Sequence, residues 1–198
     1  MPNASGRDPA AVVAARGAEG HADKQNGSER SANRDAVSAT GESIRRHLPE
    51  LAAFHRWIVR DFGKAPLHPS RLRAADASDR RVWCPLDHAL TVWRTYPKRV
   101  AGVGFVLTDV NVEHPELRLV GIDLDSAFDE LDELKPWAQR IVDAAGPCYW
   151  ERSPSGRGLR GFMRGTIPSE LTQRFAGGGV ELYDGRSKRY LTVTGMRL

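Results

Sequence analysis

Two short segments hold residue types that could carry chemistry. The first is Val120-Gly121-Ile122-Asp123-Leu124-Asp125. Side chains alternate along a strand, so Asp123 and Asp125 share one face while Ile122 and Leu124 point into the layer behind. Two neighbouring carboxylates repel each other, and a divalent cation between them removes that cost. The second segment, about thirty residues downstream, is Ser153-Pro154-Ser155-Gly156-Arg157-Gly158. Its glycines let the backbone approach an anion, its hydroxyls donate hydrogen bonds, and Arg157 offers a phosphate fork. Together they suggest metal ions meeting phosphates. Each also has a plainer reading: two solvated acids at a loop start, and a glycine-rich hairpin turn. The G-x-x-x-x-G-K-[ST] spacing of a Walker loop is absent.

A third acidic position lies in Val180-Glu181-Leu182-Tyr183-Asp184. Glu181 sits on an alternating strand, whereas Asp184 precedes Gly185 and reads as a turn residue. Arg186, Lys188 and Arg189 follow, then Leu191-Thr192-Val193-Thr194-Gly195. Basic side chains and threonine hydroxyls on a strand suit contact with a nucleotide or a template backbone. Charge that guards an edge strand against aggregation is the other reading.

The elements that must position these residues follow from periodicity. Pro49 to Phe54 suits a short helix, and Arg56 to Arg60 reads as a strand ended by Gly63. Leu86, Leu90 and Trp93 fall at helical spacing within Pro85 to Trp93. Gly102 to Leu107 and Leu117 to Leu124 read as strands, with Asn111 to Pro115 in a turn between them. Leu134 to Ala145 is an amphipathic helix stopped by Gly146-Pro147. Strands then follow at Cys148 to Trp150, Leu159 to Met163, Gly179 to Tyr183 and Arg189 to Thr194. Hairpin-like connections and few helices indicate α+β rather than a doubly wound sheet. Trp83, Trp93, Trp137 and Trp150 are expected in the core, and His88 on a helix surface.

Composition narrows the class. In 198 residues, 40% hydrophobic and 27% charged content is that of a globular chain with an adequate core. No apolar run is long enough to span a bilayer and no signal segment is present, so a cytoplasmic location is expected. Cys84 and Cys148, in no C-x-x-C pattern, read as reduced structural thiols. The scattered histidines contain no His-x-His pair and no zinc spacing. The net charge of +4 hides an asymmetry: ten acids face three bases between Asp109 and Asp143, and nine bases face three acids between Arg152 and Leu198. Nucleotides held through metal need both signs. Residues 1–42 are rich in small polar residues and lack aromatics, so a disordered segment is expected there, with one domain over 43–198.

In this order and spacing, Asp123-Leu124-Asp125, Ser153 to Leu159, Val180 to Asp184 and Arg189 to Gly195 resemble the archaeo-eukaryotic primase-polymerase superfamily. The likeness is to the domains that phages and mobile elements place ahead of a helicase. It covers about residues 50 to 195, with support from Trp57, Gly63 to Pro66, Trp83 and Gly104 to Leu107. The resemblance implies an RRM-like catalytic sheet beside a smaller N-terminal α/β unit. It implies template-directed nucleotidyl transfer with two Mg²⁺ or Mn²⁺ ions bound by Asp123, Asp125 and Glu181. Ser153, Ser155, Arg157, Gly158 and Arg160 would hold the triphosphate, and Lys64, Lys188, Arg189 and Thr192 nucleic acid. The expected partners are nucleoside triphosphates, single-stranded or primed DNA and a separate helicase.

Two departures stand out. The family's second motif ends in a histidine where this chain has Arg160, which keeps the charge but is not a tunable acid. The chain also stops three residues after Gly195, so it reads as an isolated or truncated domain without the helicase region. A degenerate module that binds nucleotide or single-stranded DNA, and a metal-dependent nuclease, are the competing functions.

Overall fold

The computed structural model describes residue 28 and residues 31–198 except 147, 176 and 187. The chain divides into two units, 1–36 and 37–198. In the first, residues 31–36 are helical. The second opens with helix α1 (residues 37–47), followed by α2 (Pro49–Ala53), β1 (Trp57–Arg60) and β2 (Pro66–Leu67). A 3-10 turn (Arg80–Val82), α3 (Leu86–Thr95), β3 (Gly102–Val106) and α4 (Val110–Glu113) lead to β4 (Leu119–Asp125). Then come α5 (Pro136–Ala145), β5 (Tyr149–Arg152), β6 (Leu159–Arg164), β7 (Leu171–Phe175), β8 (Gly178–Tyr183) and β9 (Tyr190–Val193).

The strands form two antiparallel sheets, β2-β1-β3-β9 and β5-β6-β4-β8-β7. The fold is α+β, as expected. One face of the five-stranded sheet carries Val120, Ile122, Leu124, Trp150, Leu159 and Val180 and is covered by α5 through Trp137, Ala138, Ile141 and Val142. The opposite face packs on the four-stranded sheet: Leu119, Tyr149, Phe162 and Tyr183 share a core with Trp57, Phe105 and Leu191. The Phe105 and Phe162 rings meet edge to face at 6.3 Å across it. Strand β4 is therefore covered on both sides over Leu119 to Ile122, which explains its near-continuous apolar run. Polar alternation begins only at Asp123, where the sheet-on-sheet core ends.

Gly121 sets how closely the sheets approach. A Cβ there would lie 2.7 Å from both Leu107 Cδ1 and Leu191 Cδ1. We expect Gly121→Ala to cost about 1–3 kcal/mol through overpacking. A drop in the urea midpoint with an unchanged slope is the readout.

Several expectations change. Of the segment expected to be disordered, residues 1–27, 29 and 30 lie outside the described residues, but 31–42 are helical. Within α1, Val37, Thr40 and Ile44 are buried. Thr40 Oγ1 donates to Thr194 O (3.0 Å) and Ser43 Oγ to Gly195 O (2.7 Å). The helix is held by a distant turn, which local composition does not register. Residues 110–113 form a short helix rather than a plain turn, and β7 was not anticipated. Gly146 caps α5 with φ 64°; Pro147 lies outside the described residues. Trp83 and Trp150 are buried, Trp93 and Trp137 pack against the cores, and His88 is exposed, all as expected.

Candidate active site

Strand register assembles the site. Asp123 on β4 lies directly opposite Arg160 on β6 and Glu181 on β8. Arg160 in turn lies opposite Glu151 on β5. Directly paired residues project to the same face, so one row across the sheet reads Glu151, Arg160, Asp123, Glu181. Asp125, two residues on, shares that face at the exposed end of β4, where Ser126 turns the chain with φ 53°.

Arg160 grips Asp123 with two parallel hydrogen bonds: Nε donates to Oδ1 and Nη2 to Oδ2, both at 3.1 Å. The side chains are 7% and 14% exposed, so solvent screens the pair little. Burial raises the Asp123 carboxyl above its usual range; Arg160 opposes the shift, and the nearby Asp125 and Glu181 charges add to it. Glu181 accepts a hydrogen bond from the Tyr183 hydroxyl, and burial followed by that carboxylate pushes the phenol upward.

The Ser153–Gly158 loop closes on itself. Ser153 N–H donates to Gly158 O (2.9 Å), Gly158 N–H to Ser153 Oγ (3.1 Å), and the two serine hydroxyls meet at 3.1 Å. A Cβ on Gly158 would lie 2.9 Å from Leu124 O, so only glycine lets the loop rest on the end of β4. Arg157 is exposed, and its N–H reaches Ser155 Oγ at 3.4 Å. Arg152, on the α5 face, donates to Gly156 O, forks onto Asp132 and stacks 3.8 Å above the Phe128 ring. That assigns Asp132 to bracing the loop. Asp129 likewise accepts from Leu131 and Glu133 N–H groups within its own turn.

The candidate nucleic-acid residues scatter. Arg189 lies 5.3 Å over the Tyr183 ring, beside the carboxylates. Thr192 is buried on β9, and its Oγ1 has no hydrogen-bond partner. Lys64 is exposed with φ 66°, and its carbonyl accepts from the Tyr190 hydroxyl. Lys188 is exposed and acts electrostatically on Asp76.

Three residues were missed by sequence reasoning. Arg60, at the end of β1, and Tyr190, at the start of β9, lie within electrostatic range of Arg160. Both belong to the other sheet, so no local spacing links them to it. Glu151 is fully buried and accepts from Thr194 N–H (2.9 and 3.0 Å), Gly195 N–H (2.9 Å) and the Tyr149 hydroxyl (2.8 Å). A lone glutamate inside an apolar strand was the available signal.

Oxygen donors on one face suit a hard cation such as Mg²⁺ or Mn²⁺. Buried Arg160 Nη1 and Arg60 Nε have no partners and lie within electrostatic range of each other, which suits a polar ligand beside them. Among the described residues, however, no three His, Cys, Asp or Glu side chains form a ready metal cage. Arg160 holds both oxygens of Asp123 instead. The thiols take no part: Cys84 donates to Trp57 O and Cys148 to Phe162 O, and burial pushes both up to about 12. No helix among the described residues is long and apolar enough to cross a membrane.

No protein-family model matches the chain. It is 31% identical over 156 residues to the DNA primase-polymerase of Nitratiruptor phage NrS-1, an alignment covering 75% of this chain and 20% of the phage protein. The chain spans about a fifth of the length of the curated relative it matches. The α+β scaffold agrees with that similarity, and this chain is a homologue of a phage DNA primase-polymerase, which supports a domain of the primase-polymerase type.

Proposed function

We propose that this domain catalyses template-directed nucleotidyl transfer, as a DNA primase/polymerase of the archaeo-eukaryotic type serving the replication of a phage, plasmid or other mobile element. The observation that carries the reading is the row Arg160–Asp123–Glu181 with Asp125 beside it and the Ser153–Gly158 loop at its end. The similarity to a phage primase-polymerase supports it. Asp123, Asp125 and Glu181 are the proposed ligands for Mg²⁺ or Mn²⁺, whose role when bound is to stabilise charge on the attacking hydroxyl and leaving pyrophosphate.

The chain's own residues do the rest. Ser153, Ser155 and Arg157 of the loop receive the triphosphate through their side chains, helped by the unpartnered donors of Arg60 and Arg160. Tyr183 orients Glu181 through its hydroxyl, and Arg189 above the Tyr183 ring adds positive charge for a template phosphate. Primed or single-stranded DNA and nucleoside triphosphates are the substrates. A helicase on a separate chain would supply the template, and the cytoplasm is where these meet.

Extension of a 5′-labelled primer on a DNA template, with deoxy- or ribonucleotides and Mn²⁺ or Mg²⁺, tests the reading. We expect elongation that EDTA abolishes. Nucleotide binding without incorporation would instead identify a degenerate binding module, the reading that the Arg160–Asp123 pair favours. Shortening of the labelled strand would identify a nuclease.

A further inference from the structure

We propose that Arg160 is a built-in counter-ion that holds Asp123 until a triphosphate draws it away, so that metal and nucleotide bind only weakly alone and strongly together. This rests on the metal and nucleotide roles assigned under Proposed function.

Four observations carry it. First, the guanidinium engages both oxygens of Asp123, so a cation that takes that carboxylate must compete with Arg160 for it. Second, Arg160 and Asp123 meet through two parallel hydrogen bonds of 3.1 Å, so the whole exchange turns on one side-chain pair. Third, Arg160 Nη1 is buried with no hydrogen-bond partner, a position that costs free energy until an acceptor arrives. Fourth, a second guanidinium, Arg60, lies within electrostatic range of Arg160, and its Nε also lacks a partner. Two mutually repelling cations with unspent donors await an anion, and the Ser153–Gly158 loop closes against the same end of β4.

A metal–triphosphate complex brings both missing charges at once. Its phosphates give Arg160 and Arg60 an acceptor, and its cation replaces the positive charge that Asp123 surrenders. Neither half alone balances the exchange: a bare cation must displace a buried guanidinium, and a bare triphosphate leaves Asp123 buried and unpaired. Coupling of this kind is reciprocal between the two ligands. Arg160 is a positioning residue in this scheme and does no bond making itself.

The test measures Mn²⁺ binding to the full chain by the loss of the free-ion paramagnetic resonance signal. Titrations run with and without a non-hydrolysable α,β-imido deoxynucleoside triphosphate, on the wild type, Arg160→Gln and Arg160→Lys. We expect Mn²⁺ alone to bind Arg160→Gln about tenfold more tightly than wild type, and the analogue to tighten Mn²⁺ binding to the wild type by about tenfold but to Arg160→Gln by no more than about twofold. Lysine cannot fork onto the carboxylate, so Arg160→Lys should fall between them, and it serves where the glutamine variant does not fold. Equal Mn²⁺ affinities in wild type and folded variants, or no effect of the analogue on the wild type, overturns the proposal. Primer extension separates the two readings. Extension without coupling removes only the counter-ion role, whereas coupling without extension leaves that role standing and removes the polymerase.

Discussion

Asp125→Asn should lower nucleotide incorporation roughly 1000-fold while leaving the fold in place. Of the two aspartates on β4, Asp125 is the cleaner probe. Asp123 is clamped by Arg160 in a poorly solvated position, so its substitution strands a buried guanidinium and confounds chemistry with stability. Asp125 stands at the exposed end of the strand, and the amide keeps its size. Losing one anionic oxygen from a cation site costs several kcal/mol of charge stabilisation at the transition state, hence the large factor. Single-turnover primer extension gives the rate, and the unfolding free energy from urea titration should change by less than about 1 kcal/mol. Retention of a tenth or more of the activity in Asp125→Asn would remove it from the proposed metal site.

The second large effect concerns stability. Glu151→Ala should destabilise the domain by about 3–5 kcal/mol, enough to unfold much of it near physiological temperature. The carboxylate is fully buried and accepts from two consecutive backbone N–H groups and a tyrosine hydroxyl. Truncation leaves those donors dry and unpaired, and deprives Arg160 of an opposing charge one strand away. The Thr194–Gly195 turn it holds also receives Thr40 and Ser43 from α1, while Thr194 Oγ1 donates to Arg152 O (2.8 Å). Three elements therefore loosen together. Glu151→Gln keeps the shape but has only one accepting oxygen, so an intermediate loss of about 1–2 kcal/mol is expected. Chemical denaturation of the three proteins side by side reads both values. An alanine variant within about 1 kcal/mol of wild type would show that the cluster is not what holds the turn.

The run Leu191 to Gly195 shows how one segment can do two jobs. Its threonines read from sequence as candidates for a nucleic-acid backbone, yet Thr194 is spent on Arg152 and the α1 anchor. Thr192, two residues earlier on the opposite phase from Leu191 and Val193, keeps an unpartnered buried hydroxyl. The difference is one of strand end against strand middle, visible only once β9 is paired.

Local pattern was sufficient for most elements and for the placing of single residues on faces. Alternation in Ile122-Asp123-Leu124-Asp125 settles that both acids share a face, because that is a property of any extended chain. The order of the aspartate pair, the serine–glycine loop and Glu181 likewise pointed to the primase-polymerase type before any contact was known. Tertiary structure decided what stands beside what. Register between β4, β6 and β8 sets Arg160 and Glu181 on either side of Asp123, and a one-residue slip would have sent them to the α5 face. Register is a non-local quantity, fixed by two cores packing on opposite faces of β4. For the same reason Glu151, Arg60 and Tyr190 came to light only in three dimensions, as did the helix held at residues 37–47 by a turn at the other end of the chain. The sequence named the acids and the arginine; the sheet determined that they meet.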